Sequence, residues 1–318
     1  MRIMRWLILI GVFAASGCAS VPSRGIDWTD WTEKARAAGK MKDASADPSR
    51  SFLSASTLID NFEKIGFTFE TRTVGTRNRT GEQFKAIRKW QRPLQYSVVS
   101  PADTLGRIRQ PVERFMQRLA GITGHPIGPA QGGGLDLLKW SSDENMDDRV
   151  IVMFGSEGFY RDISRGRQNA PDNIRRFVKR WRLSASPCAG FVRHGSPSQP
   201  FTGPLTSVVI AIRDEIPQPL LQACIEEELA QSMGLFDDDP SVAPSLFNDD
   251  QEYGALTRHD ELLLQILYDK RLKPGMSPEQ AMPFVRRIAA ELLPDAWDLA
   301  AHMHPDISAA TRREGRWP

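Results

Sequence analysis

Cys224-Ile-Glu-Glu-Glu-Leu-Ala-Gln-Ser-Met-Gly-Leu-Phe-Asp237 is the stretch on which the reading of this chain turns. Pro219 stands just ahead of it and Gly234 near its end, the asymmetry expected of a helix over 218–233. On that helix Glu227 and Gln231 are i and i+4 and share a face. Leu220 and Cys224 lie on the same stripe, so Glu227 and Gln231 are expected to be half-buried. Glu226, Glu227 and Glu228 stand about 100° apart in turn, so they cannot all point to water. At least one faces the interior, and a buried carboxylate needs a partner, a proton or a metal. Gly234 permits a sharp turn, and Asp237 follows three positions beyond it.

Outward from this helix the chain alternates strands and helices. Leu94-Gln-Tyr-Ser-Val-Val99 reads as a strand, and Thr104 to Leu119 as a long helix with Leu105, Ile108, Val112, Phe115, Met116 and Leu119 on one side. Leu135–Trp140, Val150–Phe154, Cys188–Arg193 and Leu205–Arg213 read as four further strands. Residues 155–187 form a basic insertion with one helix over 171–182. Earlier, 53–65 reads as a helix stopped by Gly66, and the spacing of Phe84, Ile87 and Trp90 suggests a second short helix or turn. Later, Thr257 and Asp260 stand at capping-box spacing before a helix to Tyr268, and Ser277-Pro-Glu-Gln280 opens another to about Leu293. The order is strand, long helix, four strands, then the helix of Glu227 and Glu228. That is an α/β sandwich with this last helix under the sheet.

The first residues are of another kind. Met1-Arg-Ile-Met-Arg-Trp is basic, Leu7–Ala15 is apolar, and Ser16-Gly17 leads into Cys18. This reads as a secretory signal peptide over 1–17, too short to span a bilayer. Ala15-Ser16-Gly17-Cys18 resembles a bacterial lipobox, in which Cys18 becomes the lipidated first residue. Residues 18–50 then read as a flexible, lipid-anchored linker, with Trp28 and Trp31 as exceptions that dock on the body or on headgroups. The body runs over 51–275, and a C-terminal helical segment, 276–318, packs on it. Removing 1–17 takes away Arg2 and Arg5 and brings 41 Lys+Arg down to balance 39 Asp+Glu. A neutral mature chain argues against a nucleic-acid footprint. With Cys18 acylated, Cys188 and Cys224 remain as an even pair in an oxidising compartment, which reads as one disulfide.

The spacing Glu227, Glu228, Gln231, Gly234, Asp237 is that of the zinc-protease signature H-E-x-x-H-x-x-G-x-x-H, with oxygen donors at all three ligand positions. The resemblance to metzincins continues over roughly 94–270. That family has a five-stranded mixed sheet, a long helix after the first strand and the active-site helix after the last. Leu256-Thr257-Arg-His-Asp260 and Leu267-Tyr268 match the helix that follows its methionine turn, while Pro244-Ser245-Leu246-Phe247 replaces the turn itself. In finer wording, C-I-E-E-E-x-x-Q-x-x-G-L, S-L-F-N-D and L-Y-D-x-x-L-x-P-G-M resemble an uncharacterised bacterial family, the domain of unknown function 2927. That resemblance implies a secreted or lipid-anchored envelope protein.

Glu227, Gln231 and Asp237 at the ligand positions offer neither imidazole nor thiolate. They predict no tight zinc, and suit a hard divalent cation or none. Glu228 keeps the general-base position but has no metal-activated water to work on. Two functions follow. The first is a lipid-anchored cell-envelope protein, at the outer membrane facing the periplasm, whose degenerate zincin-like domain binds a peptide or an envelope protein, or serves a structural role, without catalysis. The second is a metallopeptidase with Glu227, Gln231 and Asp237 as oxygen ligands and Glu228 as base. The other candidates are bland. His302 and His304 point apart on a helix, His194 and His259 stand singly, no G-x-S-x-G elbow exists, and Gly132-Gly-Gly134 is a turn.

Overall fold

The computed structural model describes residues 26–50, 52–68, 85–130, 148–168, 170–194, 203–248 and 253–294. Five strands form one mixed sheet: β1 (Leu94–Val99), β2 (Ile127–Pro129), β3 (Arg149–Gly155), β4 (Cys188–His194) and β5 (Leu205–Arg213). Their spatial order is β2-β1-β3-β5-β4. All neighbours are parallel except β4, which runs antiparallel to β5 from Cys188↔Ile212 to Arg193↔Ser207. The parallel centre explains the apolar runs in β3 and β5, since such strands are covered on both faces.

Alternation along the strands assigns the two faces. Val150, Val152, Phe154, Val208, Ile210 and Ile212 point into the larger core, and Ile151, Met153, Val209 and Ala211 into the smaller one. The larger core is built by α2 (Ala55–Ile65), α3 (Leu105–Thr123), α6 (Gln218–Gln231), α7 (Arg258–Tyr268) and α8 (Pro278–Leu292). The smaller one is built by α4 (Glu157–Ser164) and α5 (Asp172–Trp181). The fold is thus mixed α/β with helices on both faces of a five-stranded mixed sheet. α3 buries Ile108, Val112, Phe115, Met116 and Leu119 on one stripe and ends at Gly124 in the left-handed conformation. α6 is buried nearly all round, which is why its sequence lacks a clear polar face.

Several expectations change. Residues 26–50 are not a free linker: Asp27 caps a helix, α1 (Trp28–Ala37), Trp28 is buried in the larger core, and the Asp47 and Ser49 side chains accept from the Arg258 and His259 amides at the start of α7. No helix stands at 85–93. Ala86 to Trp90 instead form a buried extended strap, with Ile87 N–H donating to Met276 O at 2.8 Å and Leu205 N–H to Lys89 O at 3.2 Å. The insertion holds two helices rather than one, because Ser156 caps α4 while Tyr160 and Ile163 bury. β2 was not expected. The strand expected at 135–140 lies outside the described residues, as do the signal peptide, Cys18, Gly132–Gly134, His302 and His304. Among the described residues no helix is long and apolar enough to cross a membrane.

Candidate functional site

The end of α6 is held by long polar side chains from the strap and from α7. Trp90 Nε1 donates to Ser232 O at 2.9 Å and the Tyr268 hydroxyl to Met233 O at 2.9 Å, which satisfies carbonyls that the helix end leaves open. Burial pushes the Tyr268 hydroxyl well above its ordinary range. Lys89 does the same for α7, donating to Leu267 O and Asp269 O at 2.9 Å each; burial pulls its ammonium down to about 8. Gly234 is required here by close approach: its φ is 129°, and a Cβ would stand 2.0 Å from Arg88 O.

The three consecutive glutamates of α6 take three roles. Glu226 is buried and satisfied. Its carboxylate accepts from Gln222 Nε2 at 2.6 Å, Leu256 N at 2.8 Å and Arg118 Nη1 at 3.3 Å. Arg118 also reaches Glu261 at 3.0 Å, so this network joins α3, α6 and the start of α7. Glu228 is buried beneath β4, where a Cβ at Gly190 would meet its Oε2 at 3.0 Å. Glu227 is half-buried and lines a cleft with Met41, Cys188, Cys224, Leu246 and Tyr253. That cleft has a cavity volume of about 10 Å³, room for a single water rather than the roughly 300–1,000 Å³ of a small-molecule site.

Gln231 and Asp237 are half-buried as well. The Gln231 amide donates to Asp238 Oδ1 at 2.8 Å, to the acid one residue past the expected one. Asp237 is felt by Arg88, whose guanidinium burial lowers to about 10 and the Asp237 charge draws back up. Among the described residues no group of three His, Cys, Asp or Glu side chains is arranged to hold a metal ion. The residues at the zincin ligand positions do not fit zinc: they contribute neither nitrogen nor sulfur, and one of them is engaged with a neighbouring carboxylate.

Cys188 and Cys224 are joined, with Cα atoms 5.9 Å apart. The bond ties the first residue of β4 to the middle of α6. Below it, the turn Pro244–Phe247 is fixed by Asp260. Its carboxylate accepts from Ser245 Oγ at 2.6 Å, Leu246 N at 2.9 Å and Thr257 N at 3.0 Å. His259 bridges this carboxylate, at 3.2 Å, and Asn61, at 3.0 Å. All of these side chains are buried. The Leu-Thr-x-x-Asp motif is therefore a latch between turn and helix, and His259 belongs to it. Asn61 had no sequence signal. Glu226 could have been found only by knowing which side of a wholly buried helix meets Arg118. His194 lies on β4.

β4 is the edge strand next to this site. Arg213 N–H donates to Pro187 O at 3.1 Å, which makes 187/213 a hydrogen-bonded pair and, by alternation, 189/211 and 191/209 as well. The N–H and C=O groups of Cys188, Gly190 and Val192 therefore face away from β5. Among the described residues no strand pairs with that outer edge. Its C=O at Cys188 accepts from the Ser186 hydroxyl.

No curated protein and no solved structure matches the chain. A family model described as Protein of unknown function (DUF2927) matches residues 55–287. That span begins at the first residue of α2, ends within α8, and contains the whole sheet, the disulfide and the Asp260 latch, so the chain belongs to the DUF2927 family.

Proposed function

We propose that this protein is a non-catalytic docking domain of the bacterial cell envelope, which takes up an extended polypeptide segment along the outer edge of β4. The observation that carries the reading is the outward-facing ladder of Cys188, Gly190 and Val192 on a strand stapled to α6. An exposed edge offers main-chain hydrogen bonds to an added strand, and a rigid edge loses little freedom on binding. The zincin-like spacing of α6 would then keep its geometry of helix beneath edge strand without its chemistry. Gln231 is bonded to Asp238, and the Asp237 charge acts on the buried Arg88 guanidinium. These engagements weigh against the alternative of a metallopeptidase with oxygen ligands. A disulfide is at home in an oxidising compartment, which accords with an envelope protein anchored through Cys18.

The test is selection of binders from a random peptide library by the full chain and by Val192→Pro. Proline at this position removes an outward N–H and leaves the β5 ladder intact. Extended segments that bind the wild type and not the variant support the reading. Equal recovery by both, or cleavage of the recovered peptides, contradicts it.

A further inference from the structure

β4 has two unlike flanks. Ala189 and Phe191 turn toward the smaller core under α5, while Cys188 and Val192 turn toward α6. Phe177 of α5 stacks on Phe191, with ring centroids 5.5 Å apart, so α5 lies against the sheet edge. Ile174, Val178 and Trp181 are its buried stripe. Phe177 sits at the β4 side of that stripe, Arg180 follows on the same flank three residues on, and Arg176 stands one turn before Arg180, further toward solvent; both arginines are exposed. A strand added to β4 would lie about 4.8 Å further out, under this flank.

The charge of this region is one-sided. Residues 155–187 hold eight Lys or Arg against three carboxylates, while the rest of the chain has a slight acidic excess. The three carboxylates are taken: Glu157 by Arg182, Asp162 by Arg167 and Asp172 by Arg175. Arg176 and Arg180 remain outside the ion pairs formed among the described residues, on a helix whose other side is fully packed.

Resting on the reading of β4 as a docking edge, we propose that the segment bound there carries acidic side chains at alternate positions, those that point to α5. Side chains of an added strand alternate between the two flanks. Acidic ones on the α5 side meet Arg180, with Arg176 one turn behind it adding to the same field. A slip by one residue would carry them to the α6 side, away from both arginines. Charge thus selects both the composition of the segment and its register.

The test uses three labelled, N-acetylated octapeptides: alternating glutamate and threonine, glutamine and threonine, and lysine and threonine. Each is titrated at low salt into the full chain, into Arg176→Gln/Arg180→Gln and into Val192→Pro. The glutamate peptide binds tightest, and the double variant weakens it about 3- to 10-fold, as expected for two exposed charges, leaving the glutamine peptide unchanged. Equal affinity of the glutamate and glutamine peptides, both lost in Val192→Pro, overturns the charge selection and leaves the docking edge standing. Glutamate-peptide binding that survives Val192→Pro but not the double variant overturns the docking edge and the charge selection with it. Phosphatidylglycerol vesicles that displace the glutamate peptide in an Arg176- and Arg180-dependent way would assign this face to a membrane and overturn the proposal.

Discussion

Breaking the Cys188–Cys224 bond should loosen β4 and cost a large part of the fold's stability. The bond closes a sequence separation of 36 residues, and the loop-entropy relation puts such a crosslink at about 4 kcal/mol. Cys188 and Cys224 are 7% and 1% exposed, so replacing both with alanine also removes two packed sulfur atoms, a further cost on the order of 1 kcal/mol. For a fold of this size each kcal/mol moves the thermal midpoint by about 2–4 °C, so Cys188→Ala/Cys224→Ala should melt roughly 10–20 °C below the oxidised wild type. Urea unfolding of oxidised wild type, reduced wild type and the double variant measures it. Reduced wild type should match the double variant to within about 1 kcal/mol, since the crosslink dominates both. β4 is bonded to the sheet on one side only, so its amides should lose protection before those of β3. A double variant within about 1 kcal/mol of the oxidised protein, or two titratable thiols in unreduced material, would refute this reasoning.

Asp260→Ala removes the acceptor of Ser245 Oγ, Leu246 N and Thr257 N, all buried, and should cost at least about 3 kcal/mol in urea unfolding; a loss under 1 kcal/mol would dissolve the latch. Lys89 is held protonated less readily in the fold than in the unfolded chain, about 8 against 10.5, so between those pH values the unfolded state binds more protons. Stability relative to Lys89→Met should therefore rise from pH 8 to pH 10, and a flat difference contradicts the placement of the ammonium. Cys18 should take up labelled fatty acid and hold the protein in the membrane fraction, and Cys18→Ser should release it; a wild type that is already free of acyl label refutes the anchor.

The centre of the fold was legible because its strands are buried on both faces. β1 and β5 came out at their observed bounds, and β3 within one residue at each end, since apolar runs bounded by turn residues have few other readings. α6 was marked by Pro219 and Gly234, and the half-burial of Glu227 and Gln231 followed from their stripe. The strap 86–90 is neither the short helix nor the turn that Phe84, Ile87 and Trp90 suggest, because their spacing mimics a helix in an extended segment. There the tertiary surroundings decide, since Lys89 and Trp90 are drawn out to the ends of α7 and α6. β2, at three residues, has no periodicity to find. Roles within the Glu226–Glu228 run could not be assigned from spacing, because a helix buried all round has a different neighbour on every side. The pairing of Gln231 with Asp238 depends on how the loop after Gly234 turns, which sequence spacing does not fix.

Amide hydrogen exchange along β4 tests the docking edge most directly. In the free chain Gly190 and Val192 should exchange rapidly while Ala189 and Phe191, bonded to β5, stay protected. On adding the alternating glutamate–threonine octapeptide, Gly190 and Val192 should slow markedly, with Ala189 and Phe191 unchanged. Uniform protection of all four in the free chain, or no slowing of Gly190 and Val192 at saturating peptide, would contradict the reading of β4 as an open, strand-accepting edge.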